Sequence, residues 1–284
     1  MSENWFAKQP KEHLAGKCAI VVGGNSGIGK AAAEAIAAAG ANMVIAGVPE
    51  AGCHEVAEEL KAQGTKAVGV ACDVTSQESI DNVIKVAEEN FGQIDILVTS
   101  AGIALPRMNA VDVAPEQWDK LFSINLKGNF FLMTSVARAM EAKNIKGKMV
   151  VVASARGINS MENIAPYCIA KAGVMGMVRS LAVDFAKKQI LVNGIAPGYV
   201  YTPMVAKVFE EQPQQEAYVK SRTPLPNYTG TLDEMGAAIL HLVLPVTEYT
   251  TGQTLVLDGG WSIQYQRIIG QRLMRGGYKR WLPV

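Results

Sequence analysis

AIVVGGNSGIGKAAAEAIAAAG, residues 19–40, passes from an apolar run through a glycine-rich elbow into an alanine-rich stretch with the composition of a helix. Strand, tight turn and helix in that order make the first half of a βαβ unit. The alternation then repeats along the chain, with strand candidates at 18–22, 43–46, 67–71, 94–98, 149–152, 191–195 and 254–257. Most are apolar at successive positions, the pattern of strands covered on both faces. Helix candidates lie between them at 28–39, 53–63, 77–90, 116–143, 166–188, 204–220 and 232–244. The expected fold is therefore α/β: a Rossmann-like, doubly wound parallel sheet of seven strands with helices on both faces, in a single domain. Gly40 and Gly64 stand where the first two helices should end, and Thr75 with Glu78 is expected to form a capping box ahead of the third.

Glycine at Gly23, Gly27 and Gly29 permits a tight turn, a close approach of backbone to ligand, and close packing of helix on strand. The free N–H groups at the helix start, backed by the helix dipole, favour an anion such as a dinucleotide pyrophosphate. A plain structural turn has the same composition, so the function must be read from residues elsewhere.

The whole chain narrows the classes. Its 284 residues are 49% hydrophobic and 19% charged, as in a globular protein, and the net charge of +1 carries no mark of a nucleic-acid or membrane-surface partner. The first residues are polar, without the apolar core of a signal peptide, and no apolar run approaches the roughly 20 residues of a membrane span. A cytoplasmic location is expected. Four cysteines and three histidines are scattered without ligand-like spacing, so neither a metal site nor a disulfide framework is expected.

The decisive segment is VVVASARGINSMENIAPYCIAKAG, residues 150–173. Tyr167 and Lys171 stand four apart at a helix start and so share one face. An ammonium beside a phenol stabilises the phenolate, which makes the tyrosine a usable general acid or base. Ser154 ends the preceding strand at the carboxyl edge of the sheet, where open α/β folds bind ligands, and its hydroxyl is placed to hold a substrate oxygen.

Ser154 thirteen residues before Tyr167, the Y-x-x-x-K pair, and the Gly23, Gly27, Ile28, Gly29 elbow together resemble the short-chain dehydrogenase/reductase family along nearly the whole chain. Asn125 in SINLKGNFF, Asp73 and Val74 in ACDVT, and Pro197, Gly198, Val200 and Thr202 in IAPGYVYTP stand at matching positions. The resemblance implies transfer of a hydride between a nicotinamide and a carbonyl carbon. It gives Ser154 the substrate oxygen, Tyr167 the proton, Lys171 the tyrosine's pKa and the ribose, and Asn125 a proton-relaying water. It gives the cofactor to Gly23, Asn25, Ser26, Gly27, Ile28, Gly29, Gly47, Val48, Asp73, Val74, Ser100, Ala101, Gly102, Tyr167, Lys171, Pro197, Gly198, Val200 and Thr202. Purely structural readings stand beside these: Asn125 as a helix bend and Asp73 as a turn cap. A homo-oligomer, tetramer or dimer, is the expected assembly.

The chain departs from the family pattern in two places. Val22 replaces the usual threonine before the first glycine, and Thr99-Ser100-Ala101-Gly102 stands for the usual N-N-A-G. A backbone group left unpaired there would cost about 1–3 kcal/mol, with Thr99 or Ser100 the expected substitute partner. Eighteen residues past Gly29, where NAD-preferring relatives carry an aspartate, stands Gly47, followed by Val48 rather than the arginine of many NADP-preferring ones. With no acid to repel a 2′-phosphate, and with Glu50 beyond Pro49, NADP(H) is favoured over NAD(H).

Arg156, Met161, Tyr199 and Met204 are the candidate substrate contacts, suited to a bulky or cyclic ketone of steroid or isoflavanone type. A sugar acid, a polyol or a 3-oxoacyl thioester are the alternatives. Residues 199–230 are expected to form a substrate lid on a main domain of residues 1–263. Residues 264–284, with five basic side chains and no acid, form a basic extension.

Overall fold

A computed structural model describes residues 12–264. Seven strands form one parallel sheet in the order β3-β2-β1-β4-β5-β6-β7: β1 Cys18–Val22, β2 Asn42–Gly47, β3 Ala67–Ala71, β4 Ile96–Thr99, β5 Lys148–Val152, β6 Leu191–Pro197 and β7 Thr254–Leu257. The chain reverses direction across the sheet between β1 and β4, so the loops after those two strands open a crevice at the carboxyl edge. The helices are α1 Gly27–Ala38, α2 Glu50–Ala62, α3 Gln77–Phe91, α4 Pro115–Phe122, α5 Asn129–Ala142, α6 Ala165–Phe185, α7 Pro203–Glu211, α8 Pro213–Arg222 and α9 Leu232–Val243.

Two apolar layers sandwich the sheet. Alternate residues of β1 divide between them: Ile20 and Val22 pack with Leu132, Met133 and Val178 on one side, Ala19 and Val21 with Ile36, Leu60 and Ile239 on the other. That division explains why β1 is apolar at every position and buried throughout. β7 differs. As an edge strand it leaves Leu255 and Val256 partly exposed.

Several local expectations are corrected. The helix expected over 116–143 is interrupted by a π-helical turn at Ser123–Gly128. There the side chain of Asn125 turns to the loop after β4, and Gly128 lies so close to Val74 that an added Cβ would sit 2.7 Å from its carbonyl oxygen. The helix expected over 204–220 is two helices, because Pro213 has no N–H to continue the first and opens the second instead. Strand β4 begins two residues later than expected. Asp95, just before it, accepts hydrogen bonds from Lys17, Cys18 and Gln93. The cap of α3 is Ser76, which accepts from the Ser79 amide at 3.2 Å, while the Thr75 hydroxyl donates to Asp73 at 2.7 Å. Gly40 and Gly64 follow their helices with φ of 100° and 90°, where a side chain would be strained.

Residues 199–230 leave the sheet after β6 and return at a single parallel bridge between Val200 and Gly230. Tyr201 N donates to Gly230 O and Gly230 N to Tyr199 O, each at 2.8 Å. Between them α7 and α8 carry Phe209 and Val219 onto Trp261, a third small apolar cluster. The basic extension, Gln264 excepted, lies outside the described residues, as does the side chain of Met204.

Candidate active site and cofactor cleft

The elbow after β1 is shaped by what cannot be there. Gly23 N and Gly24 N donate to Ala46 O at 2.8 and 3.2 Å, which turns the chain sharply. A Cβ on Gly29 would fall 2.0 Å from Gly23 O, so only glycine lets α1 start this close to the turn. Gly27 has φ 53° and open space around it, and Ser26 at the helix cap makes no side-chain capping bond. The result is a helix N-terminus with free N–H groups and an uncommitted hydroxyl, a cradle that fits a pyrophosphate.

Across the crevice lies the loop 99–103 after β4. The backbone pairing survives without a hydroxyl at Val22, because Ser100 N donates to Val22 O at 2.8 Å. The partner at this turn is one that the sequence reading did not find. Thr99 donates to the Asn129 carboxamide oxygen, and Asn129 Nδ2 donates to Ala101 O at 3.1 Å, Asn125 O at 3.0 Å and Ile124 O at 3.1 Å. One buried amide thus ties the cofactor loop to the carbonyls of the π-helical turn. The Asn125 side chain, fully buried, grips Ile103 with N–H to O and O to H–N bonds of 2.8 Å each. It is thus a helix-turn residue and a loop anchor together.

At the carboxyl end of β5, Ser154 is buried beside Tyr167, and Lys171 lies one helical turn further on, also buried. Burial pushes the Tyr167 phenol above its ordinary pKa, while the Ser154 hydroxyl and the Arg156 charge pull it back. Lys171 Nζ donates to Val152 O at 2.8 Å and sits 5.8 Å from the Tyr167 ring centroid. Burial lowers its pKa to about 8. The counter-pull on the phenol expected from Lys171 comes here from Ser154 and Arg156. Gly102 faces both Lys171 and Asn125, since a Cβ there would lie 3.6 and 3.4 Å from Nζ and Oδ1.

A cavity of about 190 Å³ opens beside Ser154 and Tyr167 and is walled by Arg107, Arg156, Met161, Tyr199 and Trp261. Three of the expected substrate residues, Arg156, Met161 and Tyr199, meet there. Arg107 and Trp261 were missed. Trp261 directly follows L-D-G-G at the end of β7, and it reaches the site only because β7 neighbours β6.

Other expected cofactor residues carry local structural bonds. The Asp73 carboxylate accepts from Thr75 N at 2.9 Å and closes a turn, and Thr202 caps α7 by accepting from Val205 N at 3.2 Å. At the end of β2, Val48 is exposed, Gly47 packs against Asn25, and Asn25 Nδ2 donates to Val48 O at 3.3 Å. Glu50 turns toward β3, accepting from Ala71 N at 3.3 Å. Val74 is buried, while Pro197, buried at the end of β6, lines the cavity beside Ser154 and Tyr167 together with Gly198. Among the described residues, no group of three His, Cys, Asp or Glu could hold a metal, and no helix is long and apolar enough to cross a membrane.

A family model described as enoyl-(acyl carrier protein) reductase matches residues 22–262. The cis-4-hydroxycyclohexanecarboxylate dehydrogenase of Sinomonas cyclohexanicum is 36% identical over 253 residues, 88% of this chain and 98% of that protein. The 3-oxoacyl-[acyl-carrier-protein] reductase FabG of Vibrio cholerae is 34% identical over 248 residues, 87% of this chain and 98% of that protein. A short-chain type dehydrogenase/reductase from Mycobacterium marinum superposes with a TM-score of 0.82 at 31% identity, covering 89% of this chain and 98% of that one. The chain belongs to the short-chain dehydrogenase/reductase family. It is an oxidoreductase of CH–OH groups that uses a nicotinamide cofactor.

Proposed function

We propose that the protein interconverts a ketone and a secondary alcohol, with Ser154, Tyr167, Lys171 and Asn125 as its catalytic set. The observation that carries this is the meeting of Ser154 and Tyr167 on one small cavity, with Lys171 buried behind them. When bound, the nicotinamide supplies or accepts the hydride. The Ser154 hydroxyl holds the substrate oxygen, and Tyr167 gives that oxygen its proton or takes it away. Lys171 places a charge beneath the tyrosine, and Asn125 fixes the loop that closes the cleft. A serine and a phenol converging on one oxygen suit C–O chemistry rather than reduction of a C=C bond.

A cavity of about 190 Å³ is below the roughly 300–1,000 Å³ of sites for drug-sized ligands, which favours a single-ring or short-chain ketone over a steroid. α7 and α8 act as the lid over it. NADP(H) is favoured over NAD(H), because Gly47 and exposed Val48 offer no carboxylate against a 2′-phosphate and Glu50 is turned away. Exposed Phe130 and Phe131 on α5, with the apolar edge of β7, support assembly with further copies of the chain. Oxidation of NADPH and of NADH over a panel of ketones, read by absorbance, tests the reading. Turnover is expected with NADPH preferred, and falling about 10²–10⁴-fold in Tyr167→Phe. Unchanged turnover in that variant overturns the catalytic assignment, and tenfold tighter binding of NADH overturns the cofactor preference.

A further inference from the structure

The cavity beside Ser154 and Tyr167 is also lined by two guanidinium groups without counter-ions, Arg156 and Arg107. The Arg156 guanidinium carbon lies 4.8 Å from the Trp261 ring centroid and 5.6 Å from that of Tyr199. Stacking on two rings holds the group flat and keeps its charge, but leaves the N–H edge free to donate. Arg107, on the same wall, makes one hydrogen bond, from Nη2 to Gln215 Oε1 of α8 at 3.3 Å, with the Met161 sulfur 3.9 Å away. Arg222 at the end of α8 lies 5.7 Å from the same Trp261 ring, and its Nε and Nη1 are buried without a hydrogen-bond partner.

Among the described residues, no carboxylate is within ion-pair distance of any of these three. Arg156 and Arg107 line the cavity with charge that no carboxylate of the described residues balances, and an anionic substrate would balance it. A guanidinium fork matches a carboxylate with two parallel hydrogen bonds, and Met161, Ile164 and Pro197 supply apolar lining for the carbon skeleton between the two ends.

We propose that this wall is a carboxylate subsite, so that the substrate is a small oxo acid or hydroxy acid. Its carbonyl or hydroxyl carbon lies at Ser154 and Tyr167, and its carboxylate lies on Arg156 with Arg107 beside it. Arg156 stands two residues from Ser154, and its amide donates to the Ser154 hydroxyl at 3.1 Å, so the group that orients the oxygen and the group that holds the acid share one rigid turn.

This inference rests on the ketone–alcohol reading, and the test separates the two. Initial rates are measured for 4-oxocyclohexanecarboxylate and for its neutral methyl ester. Binding of unreactive cyclohexanecarboxylate is followed by calorimetry. The acid is expected to exceed the ester at least tenfold in kcat/KM, mostly through KM, and Arg156→Gln should lower that acid-to-ester ratio at least tenfold. Arg107→Gln, at an exposed position, should lower it too, which keeps the test open if Arg156→Gln fails to fold. Equal use of acid and ester overturns the carboxylate subsite and leaves the ketone reading intact. If neither compound turns over but cyclohexanecarboxylate binds the wild type and not Arg156→Gln, the subsite stands and the reaction assignment falls. No turnover and no binding overturn both.

Discussion

Tyr167 has its titration set by opposing forces that can be ranked by direction. Burial raises its pKa most, and the Ser154 hydroxyl and Arg156 charge offset part of that rise. Oxidation of an alcohol needs the phenolate, so its kcat/KM should climb with pH across the alkaline range. Ketone reduction needs the phenol, so it should stay level through neutrality and decline only where the phenol ionises. Lys171, lowered to about 8 by burial, carries its charge below that pH and loses it above. Rate profiles in both directions between pH 6 and 10, run with both cofactors, check this; parallel profiles for oxidation and reduction would contradict the role given to Tyr167.

Among the elements, the turn into α1 is the least tolerant of change. Gly29→Ala puts a methyl group 2.0 Å from the Gly23 carbonyl oxygen, a clash with backbone that no rotamer relieves. Either the helix start moves away or the turn opens, and both spoil the row of N–H donors. Fluorescence titration with NADPH should show at least tenfold weaker binding in that variant. The π-helical turn between α4 and α5 makes a related point. Its irregular carbonyls are satisfied by Asn129, whose amide also reaches Ala101 in the loop after β4, so a departure from helical geometry is stabilised by a side chain that holds that loop as well.

On the scale of the whole molecule, the sheet buries both its faces in the monomer but leaves the β7 edge and the outer face of α5 apolar. Phe130 and Phe131 stand edge to face at 5.4 Å with about two-fifths of their surface exposed, and Leu126, Met177 and Leu181 extend the same surface toward α6. A charge at the centre of an interface is costly to desolvate, so Phe131→Glu should shift the protein toward smaller species in light scattering coupled to size exclusion. The same elution volume and mass for the variant and the wild type would place the contacts elsewhere.

The order of strands and helices was legible in the sequence, because each β1-like run is apolar at successive positions and each helix has a glycine or proline at a boundary. Ser154, Tyr167 and Lys171 were legible for a similar reason: spacing along a strand end and one helical turn is local, so sequence distance reports spatial distance. Interruptions were not. The π-helical turn at Ser123–Gly128 depends on Asn125 reaching Ile103 and on Gly128 meeting Val74, contacts between segments far apart in the chain. For the same reason, only the tertiary structure decided that Asn129 bonds Thr99 and Ala101 at the β4 turn and that Arg107, Arg156 and Trp261 share one cavity. The sequence by itself determined the layers and the placing of Ser154, Tyr167 and Lys171 near one another, through periodicity and short-range spacing. The shape and charge of the cavity wall come from side chains brought together by the return of residues 199–230 to the sheet and by the pairing of β7 beside β6.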